Sequence, residues 1–113
     1  MNNNFLLKED FSEWLVNIYG ISNASAKSYL SYISGINKNV TFINTESFFN
    51  YINQKFNEGD LYNIECFINT LSVSLADSNA AILFDKSKKT LLNYRSALHS
   101  YKEFLEEKLN HQF

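Results

Sequence analysis

Proline is missing altogether from these 113 residues, and glycine occurs only as Gly20, Gly35 and Gly59. Proline is the strongest interior helix breaker and averages about 5% of residues, so its absence favours long uninterrupted helices. Cysteine is scarcer than glycine. Cys66 stands alone, which excludes an intrachain disulfide and a thiolate metal cluster and fits a reducing, intracellular setting. No apolar run approaches the roughly 18 to 20 residues that span a bilayer. The start MNNNFLLKED lacks the cationic opening and apolar core of a signal peptide, so a soluble, cytoplasmic protein is expected.

Neither sign of charge dominates. Lys and Arg total 10 against 12 Asp and Glu, a formal net charge of -2 with a pI near 5.6. That balance argues against non-specific nucleic-acid binding over the whole surface and leaves a local basic flank as the form such binding would take. There is no glycine-rich phosphate loop and no G-x-S-x-G elbow. His99 and His111 are the only histidines and show no ligand spacing with Cys66. No enzyme activity, metal or cofactor is expected from this pattern.

What the chain does hold is apolar and aromatic material, 45% and 16% of residues. That is more than a disordered chain carries and enough for one domain with a single modest core. The clearest pattern spans residues 87–109, where Leu91, Tyr94, Leu98, Tyr101, Leu105 and Leu109 recur at steps of three and four. A helix stacks them on one face, with Ser87 as its cap. Upstream, Asp10 and Glu13 read as a capping box for a helix burying Phe11, Trp14, Leu15 and Ile18, closed by Gly20. Residues 1–7 and 110–113 read as frayed ends, with Phe5, Leu6 and Leu7 available to pack.

Ser22 reads as the cap of a second helix burying Ala26, Tyr29, Ile33 and Ile36, with Lys27, Ser31, Ser34 and Lys38 on the opposite side and Gly35 weakening its end. Residues 39–44 read as a connection in which Val40, Phe42 and Ile43 are able to form a short extended piece. Thr45 is the expected cap of a third helix, with Glu46 in its first turn and Phe48, Phe49, Ile52 and Phe56 buried. Gly59 and its neighbours stop it. Leu61, Ile64, Ile68, Leu71 and Leu75 then give a fourth helix, and Cys66 within that apolar pattern reads as a buried structural thiol. Residues 80–84 are either a helical turn or a packed loop. The whole is an all-α bundle of four to five helices.

The second and last helices echo one another at an offset of 65. Ser22, Ser25, Tyr29, Ile33 and Ile36 fall opposite Ser87, Thr90, Tyr94, Leu98 and Tyr101. Generic capped amphipathic helices give part of this pattern, and two related helix-hairpin halves give all of it. On the last helix Lys88, Arg95, His99 and Lys102 share a flank beside the apolar stripe. Lys86, Lys88 and Lys89 sit at the positive end of the helix dipole, which costs roughly a few tenths of a kcal/mol each unless an anion is bound there. An ordinary solvated helix face would carry the same residues. The outer side of the second helix gives a second candidate set, Lys27, Ser31, Ser34 and Lys38, whose serines let a phosphate backbone approach closely and which equally suits a solvated face.

The stretches GISNASAKSYLSYISGI and SKKTLLNYRSALHSYKEFL, preceded by FSEWLVNIYG, resemble the hallmark helices of the N-terminal core-binding (SAM-like) domain of phage integrases and other tyrosine recombinases. The matching positions in the last helix are Ser87, Thr90, Tyr94, Ser96, Ala97, Leu98, Phe104 and Leu105. The resemblance covers about residues 8–108. It implies a compact orthogonal bundle of two crossed hairpins that grips one face of double-stranded DNA while a separate catalytic domain of a longer parent chain does the chemistry. Lys27, Ser31, Lys88, Lys89, Arg95, His99 and Lys102 would then face the groove and its phosphates, and oligomers would form only on DNA. Several features depart from the family. Its catalytic arginine, histidine and tyrosine set has no counterpart in these residues, Ser25 and Ala26 replace the usual Thr-Ile, and residues 60–85 match none of its pattern. The rival expectation is a helical protein-interaction module that docks a partner through exposed aromatics such as Phe42, Phe84 or Phe113.

Overall fold

Four of the helices begin at a side chain that satisfies an otherwise orphaned amide. Ser22, Ser47, Asp60 and Ser87 each accept from the backbone N–H three residues on, at 3.1, 3.1, 3.2 and 3.1 Å. Each such cap is worth about 1 kcal/mol. The computed structural model describes residues 3–39 and 47–112, and over these it is all-helical. α1 (Lys8–Trp14) runs on as a π-helical turn (Leu15–Tyr19), followed by α2 (Asn23–Asn39), α3 (Phe48–Asn57), α4 (Leu61–Ala76), the single turn α5 (Ala80–Leu83) and α6 (Lys88–Gln112). The expected four to five helices are present, and residues 80–84 supply the additional turn α5. Among the described residues no helix is long and apolar enough to cross a membrane.

α6 is the axis of the bundle. Its apolar stripe is buried from Leu91 to Leu109, together with Ala97 and Phe104, and it touches α1, α2, α4 and α5, while α3 bridges α2 and α4. Full burial of one Leu or Phe contributes roughly 1.5–3 kcal/mol, so this stripe outweighs any single cap. Tyr101 is the hub: its ring lies 4.9 Å from Phe11, 5.6 Å from Phe5 and 6.3 Å from both Phe48 and Phe104, centroid to centroid. Its hydroxyl donates to the Leu6 carbonyl at 2.9 Å. Trp14 ties α1 to the far end of α6 through Nε1, which donates to Glu107 at 2.7 Å.

The structure corrects several expectations. Residues 3–7 are not frayed: Phe5 packs against Phe11, Phe49 and Tyr101, and the buried Asn53 amide donates to the Asn4 carbonyl at 2.8 Å. At the other end α6 continues through Gln112. Asp10 is not a cap, because α1 begins at Lys8 after Leu7 in a left-handed conformation (φ 54) with no side-chain cap. The Tyr101 and Phe5 contacts, which no local pattern encodes, set that start. Glu9 and Asp10 instead sit in the first turn, where the dipole favours them. Ile18 is 65% exposed, because the π turn, with Gly20 bonded back to Leu15, adds a residue per turn and carries Ile18 off the core face.

Cys66 is exposed, since it lies two residues from both Ile64 and Ile68 and so on the far side of α4. Gly35 is a packing position and no mere weak point: a Cβ there would meet the Tyr94 hydroxyl at 2.6 Å. Of the connection and extended piece expected at 39–44, Asn39 belongs to α2 and the rest lies outside the described residues, as do Glu46 and Phe113. The cap of α3 is Ser47 and not Thr45, because the Ser47 hydroxyl accepts from the Asn50 amide.

Candidate nucleic-acid interface

The echo between α2 and α6 survives as geometry. Ser22 both accepts from the Ser25 amide and donates to the Ser25 hydroxyl at 3.1 Å, and Ser87 does the same with Thr90, at 2.9 Å between the hydroxyls. Ile33 and Ile36 of α2 and their counterparts Leu98 and Tyr101 of α6 are all fully buried. The tyrosines differ, Tyr94 being buried and Tyr29 only half so.

The basic flank of α6 lies along α4. Arg95 Nε donates to Ser72 Oγ at 3.5 Å, His99 Nε2 lies 3.4 Å from the same hydroxyl, and Lys102 Nζ donates to Asn69 Oδ1 at 3.2 Å. Further along, Glu106 is hydrogen-bonded to Glu65. The pairings 72 with 95, 69 with 102 and 65 with 106 run in opposite order, so the two helices are antiparallel. Ser72 and Asn69 are neutral, so they orient the cations without cancelling their charge. Among the described residues no ion pair engages Lys88, Lys89, Arg95 or Lys102.

The far end of the seam has the opposite character. The Glu106 carboxyl is pushed up to about 7, first by its hydrogen bond with Glu65, then by burial and by the Glu65 charge. Lys102 opposes that shift. The Glu65 and Glu106 carboxyls thus close the cationic row.

Lys88, Arg95, His99 and Lys102 therefore form one line, with Lys88 and His99 exposed and Arg95 and Lys102 partly buried. Lys89 is exposed about 100° further round α6, over the outward side that also carries exposed Leu92, Ser96 and Glu103. Lys27 and Ser31 are exposed on α2, turned from Ala26, Ile33 and Ile36. α2 meets α6 through Gly35 and Tyr94, whereas α4 meets it beside Arg95, His99 and Lys102. The two candidate sets therefore flank different sides of α6.

Glu65, Asn69 and Ser72 were passed over in the sequence, yet they step by four and three along α4. A polar stripe at that spacing beside the apolar one is the available signal that this edge of α4 meets charge rather than core. Among the described residues no three His, Cys, Asp or Glu side chains converge to hold a metal ion. No protein-family model, curated protein or solved structure matches the chain.

Proposed function

We propose that this chain is a duplex-DNA-binding helical module which positions a separate catalytic domain, in the manner of the recombinase core-binding domains it resembles. One observation carries this reading: Lys88, Arg95, His99 and Lys102 stand in a row whose protein partners are a hydroxyl and an amide, not carboxylates. A row of cations fixed by neutral groups is suited to phosphate contacts, which position a protein on a duplex without reading its sequence. The matched capping of α2 and α6 supports the likeness to paired hairpins. The reading rests on this row alone: Lys27 and Ser31, expected to share its surface, stand on the other side of α6, and Lys89 lies at the edge of the row on the outward side. Glu103 and the Glu65–Glu106 pair limit the footprint to about the first four turns of α6.

A second reading, a protein-interaction module, is favoured by Ile82 and Leu83 of α5, 84% and 74% exposed, with Leu92 58% exposed. Phe84, which sequence reasoning put forward for that role, is partly buried. Fluorescence anisotropy of a labelled duplex, run beside light scattering, separates the two. About four phosphate contacts would lose roughly a hundredfold in affinity between about 50 and 200 mM salt. The DNA reading predicts that loss and a monomer in the absence of DNA. A duplex that does not bind at low salt, with a dimer in solution, would favour the rival.

A further inference from the structure

Lys88 and Arg95, the head of the basic row, also form the rim of a cavity whose apolar floor the DNA reading leaves without a role. The cavity measures about 260 Å³ and lies where the end of α4, the α5 turn and the start of α6 meet, lined by Leu75, Ala81, Leu91 and Leu92 with Lys88 and Arg95. Lys88 and Arg95 are seven residues apart, two turns along one face of α6, so both reach the same opening over an apolar floor. Arg95 spends only its Nε on the protein, toward Ser72, which leaves both terminal nitrogens of its guanidinium for two oxygens of a phosphate or carboxylate. Among the described residues Lys88 has no hydrogen-bond or ion-pair partner. One carboxylate, Asp77, shares the lining, but its Oδ1 is held by the Asn79 amide at 2.8 Å. Two cations against one engaged carboxylate leave the opening net positive.

We propose that this cavity binds a small amphipathic anion, a phosphate or carboxylate head on a compact apolar body. The body would lie on Leu75, Ala81 and Leu91 under the lip of Leu92, and the head between Lys88 and Arg95. Pockets for drug-sized ligands begin at about 300 Å³, so the body is limited to something near a single ring. Neither half of such a ligand would suffice: the floor is too small to hold a neutral ring tightly, and the two cations are open enough that water screens a bare anion.

Phenyl phosphate is the probe, with inorganic phosphate and phenol as its separate halves, each titrated against the full chain by amide NMR without DNA. The expected result is that phenyl phosphate binds about tenfold more tightly than either half, with shifts confined to residues 75–81 and 88–95. Arg95→Gln and Lys88→Gln should each lower its affinity by about tenfold. Ala81→Leu, which fills the floor and leaves the charges, should abolish the advantage over inorganic phosphate. Equal binding of phenyl phosphate and inorganic phosphate, shifts scattered over the surface, or unchanged affinity in variants with native spectra would overturn the assignment.

Discussion

At Gly35 two effects of one methyl group oppose each other. Alanine gains about 1 kcal/mol of helix propensity over glycine, but its Cβ would lie 2.6 Å from Tyr94 Oη and 3.1 Å from Cζ. Tyr94 is buried and its ring is rigid, so overpacking of about 1–3 kcal/mol should win. Gly35→Ala is therefore expected to destabilise by about 1 kcal/mol, and to cost less in a Tyr94→Phe background, where the closest atom is gone. Urea unfolding of the four proteins measures the cycle, and a stabilised single variant would refute the close approach. Tyr101 offers a second residue-scale test. Its hydroxyl is the partner of the Leu6 carbonyl, so Tyr101→Phe should cost about 1–2 kcal/mol. The amides of residues 3–8 should then exchange faster than the rest. Uniform exchange would show that the latch is dispensable.

Between elements, the seam of α4 and α6 sets a pH dependence. Glu106 has its folded pKa raised from 4.5 to about 7, so between those values the folded state binds more protons than the unfolded one. Stability from this group is fully present below about 4.5 and is lost as pH rises through about 7. The groups that face it are Glu65, which raises it, Lys102, which lowers it, and Glu103, which raises it slightly. The urea midpoint should fall from about pH 5.5 to pH 8 in the native sequence and stay level in Glu106→Gln. A parallel fall in both proteins would remove Glu106 as the cause.

This is also the scale at which the sequence was most legible. The stripe of α6, the core face of α4 and the caps Ser22 and Ser87 could all be read because 3.6-residue periodicity and side-chain capping are local rules. Cys66 was misread against the periodicity itself, since it lies opposite Ile64 and Ile68 on α4, whereas Asp10, Ile18 and Gly35 were misread for physical reasons of two kinds. A π turn shifted the register of one helix, and contacts from distant residues, Tyr101 to Leu6 and Tyr94 to Gly35, fixed what neighbours alone did not. The basic flank was readable as a row, but its partners Ser72 and Asn69 belong to another helix and were visible only as an unassigned polar stripe.

For the whole molecule, the near-neutral balance of charge means that the proposed DNA binding would have to come from a patch rather than from the net field. The bundle offers such a patch by laying one edge of α6 against a polar edge of α4, while the apolar stripe of α6 is committed to the core. Lys88 and Arg95 carry the proposal because both lie at the open end of that edge, away from the Glu65–Glu106 pair. Replacing them perturbs little packing, so affinity and folding can be separated. The most direct measurement is the slope of log affinity for a duplex against log salt, in the native chain and in a Lys88→Glu, Arg95→Glu variant whose folding is checked by its melting curve. The account predicts weaker binding by the folded variant, with a slope shallower by about 2, one for each lost phosphate contact. The same slope and the same affinity in both proteins would contradict it.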